Sequence, residues 1–270
     1  MERKRGRCVV FAPEKCSVQE FPDVFVLSAG RVSASQAERV AHEVGHILGR
    51  RGITEGARVR LKTANDGPML VQVNLRVRAT PVRVHTVTAS VDDLSPALTR
   101  LEGQIARVGA DWRPRAWPDP TRRMLTVGAE AVVTRRKLVV PQRATPLQTA
   151  AVMDAMDYDV HLFTDAETGE DAVLYRAGPS GLRLARQRHV FPPGWAWSPG
   201  DSGPPVALIV NSRPTPTLTE EAAVHRARAH GLRMLFFTDS DSGRGRLLYP
   251  RYDGELGLIT PVGDGERRVP

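Results

Sequence analysis

The spacing of hydrophobic residues in the first 110 positions changes from element to element. Residues 23–28 form a short apolar run typical of a strand. Ser33 or Ser35 can cap a following helix, whose apolar residues recur at helical spacing to about Arg50, where Gly52 ends it. Three alternating segments centred near Val59, Val73 and Val84 predict strands, the first two joined by a turn at 65–67. Residues 91–108 predict a last helix, which gives the order β-α-β-β-β-α.

The outward face of the predicted sheet is basic. Its cationic positions are Arg58, Arg60, Lys62, Arg76, Arg78, Arg83 and His85. A solvated face is the ordinary interpretation of such positions, but a soluble surface usually mixes both signs of charge. Because no acidic residue occupies an outward position between Arg58 and His85, we favour a polyanion-binding face.

The second half of the chain contains a duplication with a constant offset of 74 residues. The recurring pairs are Thr145/Thr219, Ala155/Ala229, Phe163/Phe237, Thr164/Thr238, Asp165/Asp239, Gly169/Gly243, Leu174/Leu248 and Tyr175/Tyr249. Each copy predicts a strand, a short helix and a hairpin; in the first, 160–164 pairs with 172–176. A unit of about fifty residues is marginal for one core, so we expect the copies to pair, with two independent small domains as the alternative.

Composition divides the chain into segments. The 38 Lys and Arg residues outnumber the 30 Asp and Glu residues, for a net charge of +8, and the excess lies in residues 1–137. Proline-rich stretches predict an Arg/Pro linker at 113–137 and a second linker at 188–212. The predicted domains are therefore 20–112, a first repeat at 138–187 and a second repeat at 213–262.

Several classes of protein are disfavoured. Cys8 and Cys16 cannot supply a disulfide framework or a cysteine zinc site. No apolar run approaches the roughly eighteen residues of a membrane span, and the basic start is followed by an apolar stretch too short for a signal peptide. We therefore expect a cytoplasmic protein with no membrane partner and no cofactor.

Two motifs resemble catalytic signatures. The run His42-Glu43-Val44-Gly45-His46 matches the zinc-hydrolase pattern H-E-x-x-H, but helical spacing places both histidines opposite the apolar stripe, and no third ligand follows at suitable spacing. The run Gly200–Pro205 is similar to a serine-protease nucleophile loop but lies in a proline-rich stretch. We expect neither motif to be catalytic.

Each of the two copies carries a set of short motifs. In the first copy these are Thr145-Pro146, the run 163–169, Leu174-Tyr175-Arg176 and Gly181-Leu182. In the second they are the run 219–222, Phe237-Thr238-Asp239, Gly243, Leu248-Tyr249 and Gly257-Leu258-Ile259. These motifs resemble the C-terminal domain of the long-form ribosome hibernation promoting factors, the sigma-54 modulation and ribosome-associated inhibitor family. The first module and the Arg/Pro linker resemble the same family, so that the resemblance covers about residues 21–262.

The resemblance implies an α+β fold, with an N-terminal β-α-β-β-β-α sandwich of the dsRNA-binding-like kind and two tandem small β-α-β-β domains. It also implies a non-enzymatic factor that lies on the small ribosomal subunit at the decoding region and mRNA channel, blocks translation and stabilises idle ribosomes in dormancy or hypoxia. The basic face would contact 16S-type rRNA, and ribosomal proteins are further candidate partners of the repeats. Helix residues would add to the RNA contact: Arg39, His42, His46, Arg50, Arg51, Arg100 and Arg107.

One feature departs from the family pattern. Ordinary long factors have one C-terminal domain, through which two chains pair and join two ribosomes, whereas this chain contains two copies. We therefore expect a monomer whose repeats pair internally and which stabilises single ribosomes. The expected pairing residues are Leu162, Phe163, Tyr175, Phe236, Phe237 and Tyr249.

Two alternatives come from other functional classes. A zinc-dependent hydrolase would use the His42–His46 motif and bind stoichiometric metal. A protein-interaction regulator acting on RNA polymerase would show little cosedimentation with ribosomes.

Overall fold

A computed structural model of the chain shows a mixed α+β protein. It describes residues 23–30, 32–63, 68–90, 92–120, 122, 125–177, 181–190 and 208–263. Two compact units are present, Met1–Trp112 with Ala155–Asp157, and Arg113–Asp154 with Tyr158–Pro270. The 65–67 turn, the two cysteines, the basic N-terminus, the Gly200–Pro205 motif and most of the 188–212 linker lie outside the described residues.

The first unit is a four-stranded sheet covered on one face by two helices. Its elements are β1 (Val24–Ala29), α1 (Ala34–Arg50), β2 (Ala57–Thr63), β3 (Met69–Val77), β4 (Thr80–Thr88) and α2 (Ser95–Val108). The strand order is β1-β2-β3-β4, with β1 parallel to β2 and the other pairs antiparallel. The alternating segments therefore form the strands that their period predicts.

Local chemistry sets the helix ends. Ser33 and Gln36 form a capping box at the start of α1, and Gly52 follows its end with a φ of +64°. Helix α2 begins at Ser95, later than the predicted 91, because Pro96 is favoured in the first turn of a helix.

The core of the first unit lies between the helices and the inner sheet face. Val40, Val44 and Leu48 of α1 and Leu101 of α2 are fully buried against alternate strand residues such as Val59. This packing consumes the apolar face of the sheet and leaves its other face to the polar positions of β2, β3 and β4.

The second unit contains two five-stranded sheets. Its elements are β5 (Val133–Val139), β6 (Arg143–Ala144), α3 (Pro146–Ala155), β7 (Val160–Asp165), β8 (Asp171–Tyr175), β9 (Leu182–Arg186), β10 (Leu208–Val210), β11 (Thr217–Leu218), α4 (Glu220–Ala229), β12 (Leu235–Asp239), β13 (Gly245–Pro250) and β14 (Leu256–Pro261). The sheet orders are β10-β9-β8-β7-β6 and β11-β12-β13-β14-β5. The hairpin predicted in the first copy is confirmed, because Val160 to Thr164 pair with Tyr175 to Asp171.

The strand that precedes each copy pairs with the sheet of the other copy. Strand β5 precedes the first copy but lies parallel to β14 of the second, whereas β10 precedes the second copy but lies parallel to β9 of the first. The 113–137 segment therefore differs from the predicted extended linker. Its last residues are part of β5, and Arg115 is buried with its guanidinium 3.2 Å from Asp159.

The recurring aspartates explain the shared motif of the two copies. Asp165 and Asp239 are buried and accept hydrogen bonds from backbone N–H groups two or three residues later. Gly169 and Gly243 complete the turns with φ values of +74° and +65°. The motif thus shapes the hairpin turns.

Within the described residues, no helix is long and apolar enough to cross a membrane.

Candidate nucleic-acid interface

The outer face of the first sheet arranges its cations in rows across the strands. The strand register places Arg58, Asn74 and Arg83 side by side in one row. The next row contains Arg60, Gln72 and His85. Because side chains alternate between the faces of a sheet, these residues share the face opposite the two helices.

Arg58 and Arg60 are the most available cations of this face. Both are exposed, and neither forms an ion pair with another described residue. Arg83 is half-buried, and its Nε donates to Asn74 Oδ1 at 2.7 Å, while Gln72 donates to the same oxygen at 3.2 Å. The face therefore combines uncompensated charge with a fixed network of amides.

The remaining sheet-face candidates are more constrained. Lys62 is half-buried near the end of β2. Arg76 lies 3.5 Å from Glu55, an acid in the loop before β2 that the alternation does not reveal. Arg78 departs from the predicted face. It sits in the turn after β3 with a φ of +48°, and its guanidinium donates to Gly109 O at the end of α2.

The edge strand β1 adds two exposed apolar side chains to this face. Phe25 is 46% exposed and lies beside Arg58 in the register, and Leu27 is 41% exposed and lies beside Arg60. The sequence gives no direct signal for them, because an apolar run has no visible alternation. An exposed ring next to an arginine can stack on an unpaired base.

The helix candidates lie on the other side of the first unit. Arg39 pairs with Asp92 at 3.0 Å and Arg50 with Glu102 at 2.6 Å, which compensates both cations. Arg51 is exposed. The helix candidates thus lie on the face of the first unit opposite the basic sheet face.

Two further helix candidates are largely committed to structure. The Arg100 side chain is 13% exposed, and its guanidinium donates to both carboxylate oxygens of Asp157, which belongs to the same unit. Arg107 is half-buried and donates to Gln104 at 2.6 Å. Both side chains contribute to the packing of α2.

The H-E-x-x-H motif lies on the solvent side of α1. His42, Glu43 and His46 are exposed, and the two imidazole rings are 6.3 Å apart. In the part of the chain that the structure describes, no three His, Cys, Asp or Glu residues come together as metal ligands. Both histidines thus lie on the exposed side of the helix, whereas the ligands of a catalytic zinc helix face a cleft.

The two copies share an apolar cluster in the second unit. Its buried members are Leu162, Val173, Ala185, Phe236 and Leu247, with Val139, Val160, Tyr175, Met234 and Ile259 packed against them. Of the expected pairing residues, Leu162, Phe236 and Tyr175 lie in this cluster.

The other three expected pairing residues lie elsewhere. Phe237 packs against Ala223 and Ala227 in the second copy's own core. Phe163 is fully buried and follows Leu162, so it points to the opposite face of β7. Tyr249 lies under the ammonium group of Lys137, 5.2 Å from its ring centroid, and burial raises its pKa. Neighbouring residues of β7 and β12 point to opposite faces of their sheets. Leu162 and Phe236 therefore lie in the shared cluster, whereas Phe163 and Phe237 are buried on the other face of their strands.

Comparison with known proteins gives two kinds of match. Residues 128–184 match the family described as Sigma 54 modulation/S30EA ribosomal protein C terminus. The chain is also 68% identical over 267 residues to the dormancy associated translation inhibitor of Mycobacterium tuberculosis, in strains CDC 1551 / Oshkosh and ATCC 25618 / H37Rv, with 98% of each chain covered. Such identity over nearly the whole length shows common family membership. The chain therefore belongs to the long-form ribosome hibernation promoting factor family.

Proposed function

We propose that this protein is a ribosome hibernation factor that binds the small ribosomal subunit at the decoding region and mRNA channel through the outer sheet face of its first unit. It blocks translation there and stabilises idle ribosomes in dormancy or hypoxia. Its relatives are named translation inhibitors, which supports this class of function. The observation that carries the proposal is the pair of exposed arginines, Arg58 and Arg60, which lack an acidic partner among the described residues.

The mechanism is occlusion. Guanidinium groups bind phosphates and displace the counterions of rRNA, which supplies affinity without base sequence. Asn74 and Gln72 lie between the arginines and His85 and offer amide groups to sugars or base edges. Phe25 offers a ring on which an unpaired base can stack. The same proposal includes the expectation that this β-α-β-β-β-α unit is similar to a dsRNA-binding domain.

Cosedimentation with separated ribosomal subunits over a salt series tests the sheet face. The variant R58A/R60A removes two phosphate contacts, so the slope of log affinity against log salt should flatten by about 1.4 to 1.8. Inhibition of a cell-free translation reaction should weaken in parallel.

The variant R213A/R233A is a matched control. It removes two exposed arginines from the second unit and leaves the sheet face intact, so its slope should remain that of the unmodified protein. Unchanged affinity and slope in R58A/R60A would exclude this face as the rRNA contact.

We further propose that the protein acts as a monomer on single ribosomes. The reciprocal strands β5 and β10 and the shared apolar cluster support this, because they join the two copies within one chain. Sedimentation of ribosomes mixed with pure protein should show particles of single-ribosome size. A peak of ribosome dimers that depends on the protein would contradict the proposal.

A further inference from the structure

The shared cluster is built from equivalent positions of the two copies. At the offset of 74 residues, its matched pairs are Leu162/Phe236, Val173/Leu247, Ala185/Ile259 and Val160/Met234. Two surfaces that meet through equivalent residues are related by an approximate two-fold axis, as in an isologous dimer. Residues that contact their own equivalents lie close to that axis.

Asp171 and Gly245 are such a pair. They differ by 74 positions, and Gly245 N donates to Asp171 Oδ2 at 2.9 Å. Asp171 is buried, and a Cβ atom built on Gly245 would lie 2.7 Å from the Cβ of Asp171 and 2.7 Å from the ring of Phe236. The space at this point of the axis is therefore filled by the Asp171 side chain of the first copy and the Phe236 ring of the second, and Gly245 contributes no side chain to it.

The preceding residues add charge to this asymmetry. Arg244 donates to both carboxylate oxygens of Asp171, at 2.8 and 3.1 Å. The equivalent of Arg244 in the first copy is Glu170. Close to the axis, the acidic dipeptide Glu170-Asp171 of the first copy therefore meets the basic dipeptide Arg244-Gly245 of the second copy. Gly245 has no side chain.

We infer that these two dipeptides make the pairing of the copies heterotypic: the surface of the first copy accepts the second copy and rejects another first copy. Two first copies would place two Asp171 side chains in the space of one and bury two like charges together. Two second copies would bring Arg244 to a surface that lacks the carboxylate. The matching partner is the second copy of the same chain, and ribosome binding is not required for this specificity.

Exchange of the dipeptides within the full chain tests the inference. All variants carry F236L, because the Phe236 ring also blocks a side chain at position 245, and leucine is the residue at the equivalent position of the first copy, Leu162. The F236L chain is the reference for every comparison. R244E/G245D places an acidic dipeptide on both sides of the axis, and E170R/D171G places a basic one on both sides. Each half exchange creates inside one chain the contact that pairing of identical copies would create between chains. The full exchange, E170R/D171G/R244E/G245D, restores complementarity with the roles reversed.

Hydrogen exchange measured by mass spectrometry on β5 and β14 reports on the pairing. We expect both half exchanges to speed amide exchange there by about 10- to 100-fold, after allowance for the partial exposure of Arg244. The full exchange should recover most of that protection. Peptides from β3 in the first unit should not change and serve as an internal control.

One control removes a side effect. Glu170 also accepts hydrogen bonds from the N–H groups of Arg188 and His189, so E170R alone measures the loss of those contacts. The inference is overturned if both half exchanges protect β5 and β14 like the F236L chain, or if the full exchange is no better protected than the half exchanges. A variant that unfolds still leaves the comparison with the full exchange decisive.

Discussion

The half-buried imidazole of His161 should make the stability of the second unit depend on pH. The imidazole lies in β7 and stacks on the ring of Tyr158, with centroids 5.7 Å apart. Desolvation lowers its pKa from 6.5 to about 4. The equivalent position in the second copy is Leu235, which is buried and cannot titrate. His161→Leu is therefore the natural perturbation.

The direction of the pH effect on stability follows from the two protonation states of His161. Between pH 6.5 and 4 the unfolded chain binds a proton on this imidazole and the folded chain does not, so acid favours unfolding. One pKa unit corresponds to about 1.36 kcal/mol, so at pH 5 the penalty is about 2 kcal/mol. The penalty disappears above about pH 7 and approaches about 3 kcal/mol at pH 4.

Urea unfolding at pH 7.5 and pH 5.0, followed by pulsed hydrogen exchange in β7, measures this difference. His161→Leu should lose about 2 kcal/mol less than the unmodified chain on going from pH 7.5 to pH 5.0. His225→Gln, which removes an exposed histidine from α4, should behave like the unmodified chain. If His161→Leu and the unmodified chain lose the same stability on acidification, His161 does not titrate as described.

Three other changes have expected outcomes. Phe25→Ala should weaken cosedimentation with the small subunit by about 5- to 50-fold through lost stacking, with the salt slope unchanged, and Phe25→Trp should retain binding. Asp154→Ala leaves the buried guanidinium of Arg176 without its carboxylate and should cost the second unit about 3 to 5 kcal/mol in urea unfolding. Ser33→Ala removes the cap of α1 and should cost the first unit about 1 kcal/mol in thermal unfolding.

Each of these changes has a contrary result. A changed salt slope for Phe25→Ala would indicate a lost phosphate contact instead of stacking. Unchanged unfolding of Asp154→Ala would mean that Arg176 finds another acceptor or reaches water. Greater destabilisation of the second unit than of the first by Ser33→Ala would contradict the local role of the cap.

Periodicity predicts most of the first unit, because its sheet has one apolar and one polar face. In β2, β3 and α1, the spacing of the apolar residues predicts which side chains are buried. Periodicity does not predict that Phe25 is exposed, since both faces of β1 carry apolar residues. It also does not predict the ion pair of Arg39 with Asp92, because the partners come from separate parts of the chain.

The strand exchange could not be predicted from local pattern. The segment that forms β5 follows a proline-rich stretch, so its composition predicts a linker. Its partner β14 lies more than a hundred residues later. The duplication predicts that the copies resemble each other but not which sheet receives each flanking strand. That choice depends on contacts between the copies, such as the packing of Leu162 near Phe236.

The exchanged strands also determine when the second unit can be completed during synthesis. Strand β5 leaves the ribosome early, but its partner β14 follows about 120 residues later, which at 5–20 residues per second takes roughly 6 to 24 seconds. Throughout that interval β5 presents unpaired backbone groups, and β9 likewise waits for β10. The first unit can fold meanwhile, so a nascent chain would carry its candidate RNA-binding face before the rest of the molecule is finished. A chain that ends before β14 would have that face but would leave β5 without its partner strand.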